Sequence, residues 1–128
     1  MTADKLIFNA DICAAFRRGL AQACGPHALE NLLAVLEGKA SLYTISGTDT
    51  ALDFQCSVDG ETLWINALSG KVANGWEAKR LLNALAEREY CKQIRCQAAD
   101  ERLAAIYQRL GFVPAEAGQL VYAVQEGM

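Results

Sequence analysis

The feature that most constrains the fold is a change of hydrophobic period along the chain. Residues 52–58 alternate between apolar and polar side chains, which is typical of a strand with one buried face. Asp59 and Gly60 follow and favour a tight hairpin turn, and residues 63–68 are mostly apolar, as in a strand at the middle of a sheet. Helical spacing returns after residue 75. The pattern therefore predicts a hairpin that leads into a strand–helix–strand unit.

The other predicted elements follow the same reasoning from period, capping residues and breakers. Before the hairpin they are an extended segment at residues 5–9, a helix capped by Asn9 or Asp11, a break at Gly25-Pro26, a helix that stops at Gly38 and a strand at 42–45. After it comes a helix with Ala78, Leu81, Leu82 and Leu85 facing inward and Asn83 facing outward. A strand at 92–97, a helix capped by Asp100 that ends at Gly111, and a strand at 120–124 complete the chain. A short strand–helix–strand connection implies a parallel, right-handed crossover. We expect an α/β (α+β) fold, a mixed sheet flanked by helices in one domain over residues 1–128.

Composition excludes several classes of function. The 128 residues are 52% hydrophobic and 21% charged with a net charge of −3, which indicates a globular chain. No long basic run suggests nucleic-acid binding, no apolar run suggests a membrane span, and the start lacks a signal peptide, so we expect a cytoplasmic protein. Five cysteines without a C-x-x-C pair suit thiols in a reducing compartment, and a single histidine, His27, argues against a metal site.

The segment from Asp100 to Phe112, DERLAAIYQRLGF, resembles the last conserved helix of the GCN5-related N-acetyltransferases (GNATs), with a tyrosine, three residues and then Gly-Phe. The order of elements over residues 5–124 is also similar. The resemblance implies a GNAT-like, acyl-CoA N-acyltransferase fold and transfer of an acetyl or other acyl group from coenzyme A to an amine. It implies that Tyr107 protonates the leaving thiolate, as a positioned phenol can. The alternative is that Tyr107, four residues after Leu103, is a core aromatic.

The resemblance also implies a binding site for acetyl-CoA or CoA. The strand backbone would orient the thioester, and a loop with the following helix start would bind the pyrophosphate through backbone N–H groups. The residues expected there are Ala67, Leu68, Ser69, Gly70, Lys71, Asn74, Gly75, Ala78 and Asp100. The sequence departs from the family pattern at Ala73, where a basic or amide residue is usual, and at Trp76, where glycine is usual. Glu77 adds negative charge to the first helical turn.

The base, the partners and the function itself leave alternatives open. Glu61 is the first candidate for the general base, with Asn66 and Asp53 on the matching strands; each also reads as a solvated or turn residue. The acceptor would be a small-molecule or protein amine, and a homodimer is compatible with the resemblance. The shortened, Gly-Trp-bearing version of the fold is also similar to phage and prophage proteins. The alternative function is a catalytically silent GNAT-fold module that binds or regulates a partner protein.

Overall fold

A computed structural model describes residues 2–47, 50–72, 75–98 and 100–126. The chain forms two compact units. Unit 1 comprises Met1–Ser57 and Asn66–Ala73, and unit 2 comprises Val58–Ile65 and Asn74–Met128. That residues 1–128 form a single domain stays a prediction. In the part of the chain that the structure describes, no helix is both long and apolar enough to cross a membrane.

The strands form one seven-stranded sheet in the order β1-β2-β3-β4-β5-β7-β6. Their bounds are β1 Thr2–Lys5, β2 Ser41–Ser46, β3 Ala51–Asp59, β4 Thr62–Lys71, β5 Gln93–Gln97, β6 Val113–Pro114 and β7 Gln119–Ala123. β4 and β5 are parallel, from Thr62 opposite Gln93 to Ile65 opposite Cys96. The pairs β1–β2, β2–β3, β5–β7 and β6–β7 are antiparallel. The predicted mixed sheet is confirmed, and β4 and β5, the two strands of the predicted crossover, form a parallel pair.

The helices occur in two groups along the chain. Before β2 lie α1 Asn9–Ala15, a π-helical segment Phe16–Leu20, α2 Ala21–Cys24, a 3₁₀ turn Gly25–His27 and α3 Ala28–Leu36. After β4 lie α4 Gly75–Arg88 and, beyond β5, α5 Glu101–Arg109, and a 3₁₀ turn Glu116–Gly118 precedes β7.

The beginning of the chain differs from its prediction. β1 lies at Thr2–Lys5 rather than at residues 5–9, because its backbone pairs with β2 from Thr2 onward, and pairing rather than apolar content defines the strand. The helix N-cap is Phe8, which makes no side-chain capping bond, so the predicted caps at Asn9 and Asp11 are wrong. Asn9 is instead the first residue of α1.

The core of unit 1 joins α1, the π segment and α3 to β2 and β4. Its buried members are Ile12, Ala15, Phe16, Leu20, Val35, Leu42 and Ala67. β3 is buried on both faces from Leu52 to Cys56, so the prediction of a single buried face is wrong. The second buried face of β3 carries Asp53 and Gln55. Hydrogen bonds compensate for their burial: Arg18 donates to Asp53, and Gln55 donates to the backbone carbonyl of Asn31 at 3.1 Å.

In unit 2, α4 buries Ala78, Leu82 and Leu85 as predicted. Asn83, predicted to face outward, is only 1% exposed. Its amide Nδ2 donates to the carbonyl of Gln125 at 2.7 Å, and its Oδ1 accepts from the Gln125 N–H at 2.8 Å and from the Tyr122 hydroxyl at 3.1 Å. Asn83 therefore ties the segment after β7 to α4, and these bonds compensate for the burial of its amide.

Candidate active site

Tyr107 lies on α5 and is 2% exposed. Its ring packs against Phe112 with 5.2 Å between centroids at a tilt of 57°, and Phe112 lies 5.6 Å from the ring of Tyr122. Gly111, with φ +98°, lies between the end of α5 and Phe112 and turns the chain there. The Tyr-x-x-x-Gly-Phe motif thus forms an aromatic cluster inside unit 2.

The hydroxyl of Tyr107 is hydrogen-bonded to the thiol of Cys96 on β5. Burial, and then the neighbouring Cys96 sulfur, raise the pKa of Tyr107 well above its ordinary value. Burial likewise raises the pKa of Cys96 to about 12, although the hydrogen bond from Tyr107 opposes that rise. Both groups therefore keep their protons at neutral pH. This state suits a proton donor, and it equally suits a buried aromatic with a satisfied hydroxyl.

The candidate bases lie in different surroundings. Glu61 is exposed in the turn before β4, where its carboxylate lies 3.5 Å from Lys92 Nζ. Among the described contacts of Glu61, none joins it to Tyr107. Asn66 is exposed and its amide donates to the Ser57 hydroxyl at 3.2 Å, whereas Asp53 is 8% exposed and charge-paired. Of the two acids among these candidates, Asp53 is therefore the buried one.

The five β4 residues expected at the cofactor differ in burial: two are buried, Ser69 is half-buried, and Gly70 and Lys71 are exposed. Ala67 and Leu68 are buried, and Ala67 belongs to the unit 1 core. Ser69 is half-buried and touches the backbone at Gly19, where any side-chain carbon would collide with the serine hydroxyl. Gly70 has φ +126°, and a Cβ there would collide with the carbonyl of Ala51. The contact with β3 is therefore a sufficient reason for glycine at position 70.

The start of α4 contains two of the predicted cofactor residues, Gly75 and Ala78. Asn74, also predicted there, lies outside the described residues. Gly75 begins the helix, and a Cβ at this position would make an ordinary contact, 3.6 Å from Leu110 Cδ2. Ala78 is fully buried. Trp76 is 60% exposed, and the Arg80 guanidinium lies 5.0 Å from the centre of its ring.

Asp100, the remaining predicted cofactor residue, caps α5. Its Oδ1 accepts the backbone N–H of Leu103 at 2.8 Å, which confirms the predicted cap. This bond satisfies one of the free N–H groups of the first turn and leaves the second carboxylate oxygen outside the capping bond.

Sequence reasoning missed a charged cluster in unit 1. Asp53 accepts from Arg18 through both oxygens, at 3.0 Å from Nε and 2.8 Å from Nη2, and from the Thr44 hydroxyl at 2.7 Å. The hydrogen bond to Asp53, and secondarily the charges of Asp53 and Asp11, raise the pKa of Arg18 against the opposing effect of burial. A buried acid within the alternating β3 pattern was the available signal, since an aspartate on a covered face needs a cation.

This cluster lies in an open cavity of about 650 Å³, which we call the Arg18 cavity. It is lined by Asp4, Leu6, Asp11, Arg18, Thr44, Ser46, Ala51, Leu52, Asp53, Gly70 and Lys71. Two of the residues expected at the cofactor, Gly70 and Lys71, thus form part of a charged cavity wall.

Solved structures of acetyltransferases resemble the chain over nearly its whole length. Tetrahymena GCN5 superimposes with a TM-score of 0.65 at 11% identity, covering 100% of this chain and 99% of that one. The ribosomal-protein-S18-alanine N-acetyltransferase from Escherichia coli gives 0.63 at 14% identity, covering 99% and 97%. The chain has the GNAT fold. The resemblance of residues 100–112 is confirmed at the level of fold.

A third solved structure with a similar fold is a complex that contains a ligand. The AtaTR complex bound with AcCoA has a TM-score of 0.57 at 13% identity, covering 96% of this chain and 93% of that one. No family model matches the sequence, and no curated protein matches it. Among the described residues, no group of three His, Cys, Asp or Glu side chains is arranged to hold a metal ion.

Proposed function

We propose that the chain is an N-acyltransferase that moves an acetyl or other acyl group from coenzyme A to an amine. The observation that carries the proposal is the GNAT fold over nearly the whole length of the chain, shared with acetyltransferases for several acceptors. Fold alone does not determine activity, so the site residues must supply the chemistry.

Tyr107 is the proposed general acid. Its raised pKa keeps a proton on Oη at neutral pH, and the aromatic cluster with Phe112 fixes the ring. A phenol held in one orientation donates its proton without first having to order itself, which is where a positioned acid gains its rate. Glu61 remains the proposed base; its exposed carboxylate, beside Lys92, would act directly or through water.

The residues at the start of α4 fit coenzyme A through their backbone. α4 has 14 residues, and its first-turn N–H groups with the positive end of its dipole suit a phosphate. Gly75 and Ala78 keep side chains small on this turn, whereas Glu77 opposes a phosphate by charge. Ala67, Leu68, Ser69, Lys71, Asn74 and Asp100 would complete the proposed site. Coenzyme A supplies the thioester whose acyl carbon the amine attacks.

Thiol release measures this activity directly. The purified chain is incubated with acetyl-CoA and a panel of primary amines, and free CoA thiol is followed with a colour reagent. The proposal expects amine-dependent release above the rate of acetyl-CoA hydrolysis, with mass spectrometry showing an acetylated amine. If acetyl-CoA binds but no amine in the panel is acetylated, the transferase proposal is contradicted for that class of acceptor.

A silent, partner-binding module is the second candidate, and Trp76 favours it. A large side chain that is 60% exposed and held by Arg80 stands at the start of α4, where the GNAT resemblance expects glycine. Exposed aromatics and arginines are enriched at protein interfaces. Trp76→Ala should then leave coenzyme A binding unchanged or improved; loss of cofactor binding would instead place Trp76 at the cofactor.

A further inference from the structure

We infer that Gly19 is a positioning residue for acyl transfer. Because Gly19 has no side chain, the π segment Phe16–Leu20 lies close against Ser69 and fixes the end of β4 that is proposed to orient the thioester. The inference rests on the proposed function. Both residues belong to unit 1, and the proposed roles of Tyr107 and Glu61 do not involve Gly19.

Space, rather than backbone conformation, accounts for glycine at position 19. Its φ of 177° is extended backbone that other residues also adopt. A side-chain carbon there would collide with the Ser69 hydroxyl oxygen and would lie 3.3 Å from the Ser69 Cβ. Glycine inside a helical segment is otherwise less stable than alanine, so the close approach to Ser69 is the reason that the structure offers for it.

The residues on either side of Gly19 hold the π segment against the sheet. Arg18 donates two hydrogen bonds to Asp53 on β3, and Leu20 is fully buried in the unit 1 core. Ser69 lies against Gly19 from β4. The segment therefore cannot move away from Ser69 without breaking the Arg18 ion pair or exposing Leu20.

A second close contact holds β4 immediately after Ser69. Gly70 has φ +126°, and a Cβ there would collide with the backbone carbonyl of Ala51 on β3. The end of β4 is thus fixed by two backbone contacts, one with the π segment at Gly19 and one with β3 at Gly70. A side chain at either glycine would displace the stretch of β4 that is proposed to orient the thioester.

The position of the thioester should affect the rate more than it affects cofactor affinity. A displacement of about 1 Å at the reacting groups can lower a rate by about 100-fold. The phosphates of coenzyme A are proposed to bind elsewhere, at the start of α4. A displaced end of β4 should therefore lower kcat while the Kd of acetyl-CoA changes little, and this split separates a positioning residue from one that only binds the cofactor.

The test is a double-mutant cycle between positions 19 and 69. For each variant of the whole chain, kcat is measured with a competent amine, the Kd of acetyl-CoA by calorimetry and the melting temperature by a thermal melt. Gly19→Ala should lower kcat by about tenfold or more and change the Kd by less than about threefold. Ser69→Gly removes the atoms that an alanine at position 19 would meet, so Gly19→Ala in that background should lower kcat by less than about threefold.

Ser57→Gly is the matched control, because it removes a serine of β3 whose described side-chain contact is with Asn66. In this background Gly19→Ala should lower kcat by the same factor as in the parent. Loss of kcat that Ser69→Gly suppresses and Ser57→Gly does not supports the inference. A parent-like kcat in folded Gly19→Ala, an equal loss in all three backgrounds, or a loss matched by weaker acetyl-CoA binding overturns it.

Two further outcomes keep the inference distinct from folding and from the proposed function. If Gly19→Ala melts as an unfolded chain, Ser69→Thr replaces it, because the added methyl group crowds the same contact from β4; a parent-like kcat in this variant overturns the inference. A parent chain that binds acetyl-CoA and transfers no acyl group contradicts the proposed function and this inference with it. An active parent with an unaffected Gly19→Ala keeps the function and excludes Gly19 from it.

Discussion

Tyr107, the proposed general acid, and its neighbour Cys96 both keep their protons at neutral pH. Each is buried, and each has a pKa raised chiefly by burial. The hydrogen bond between the two side chains further raises the pKa of Tyr107 and opposes the rise at Cys96. A general acid at Tyr107 requires a protonated phenol. A core aromatic at the same position would also be protonated, so the protonation state does not separate the two interpretations. Only a variant that removes the hydroxyl separates the two.

Tyr107→Phe removes that hydroxyl and retains the ring. If Tyr107 is the general acid, turnover with a competent amine should fall roughly 100-fold or more. The free energy of unfolding should fall by only about 1 kcal/mol, the usual contribution of one buried hydrogen bond. Kinetics and a denaturant melt must come from the same sample. An unchanged rate in a folded variant would leave Tyr107 as a core aromatic alone.

Cys96 makes stability depend on alkaline pH. Its pKa is raised from 9.0 to about 12 in the folded chain, so above pH 9 the unfolded thiol loses its proton while the folded thiol keeps it. The contribution of Cys96 to the free energy of unfolding should therefore be fully present below pH 9 and be lost as pH rises from there toward 12. Denaturant midpoints should fall more steeply with rising pH in the parent than in Cys96→Ala. Equal slopes in the two proteins would contradict this role of Cys96.

At the level of helices and strands, hydrophobic period and helix-breaking residues predicted most of the fold. They missed the features that depend on pairing between distant segments. The β4–α4–β5 crossover and the stops at Gly38 and Gly111 follow from local pattern, because burial and backbone preference act there on consecutive residues. β6 is two residues long and includes Pro114, so it has no period to detect. Asn83 is satisfied by Tyr122 and Gln125, and Asp53 is charge-paired with Arg18; these partners lie at least 35 residues away in sequence, which no local pattern contains.

The packing of α4 makes a direct stability prediction. Leu82 is buried and Leu81 only half-buried, although both were predicted to face inward. Leu82→Ala should lower the free energy of unfolding by about 2–5 kcal/mol through lost contacts and a cavity. The matched Leu81→Ala should cost clearly less. Urea melts that gave equal losses for the two variants would show that the buried face of α4 is misassigned.

The first turn of α4 makes a prediction about the cofactor. Glu77 places a negative charge at the helix end where the phosphates of coenzyme A are proposed to bind. Glu77→Gln should strengthen acetyl-CoA binding by about two- to fivefold, the scale of a charge at a helix terminus. Glu87→Gln, which removes the same charge near the other end of α4, should have no comparable effect. Weaker binding in Glu77→Gln would mean that this carboxylate helps to hold the cofactor.

At the scale of the whole molecule, the strand order and the near full-length structural matches agree on a GNAT fold that local motifs had only suggested. The candidate site was less predictable than the fold. Its acid and its helix start follow from short motifs. The Arg18 cavity instead assembles residues from β1, α1, the π-helical segment, β2, β3 and β4, and only the folded chain brings them together. Whether the chain acts as an acyltransferase depends first on whether it binds coenzyme A.

Calorimetric titration of the parent chain with acetyl-CoA tests that requirement most directly. We expect saturable binding of one acetyl-CoA per chain and weaker or absent binding of ATP as a nucleotide control. The melting temperature should rise with acetyl-CoA concentration because the ligand binds only the folded state. No heat and no thermal shift with millimolar acetyl-CoA, in a preparation that melts cooperatively, would contradict the acyltransferase and leave the partner-binding module.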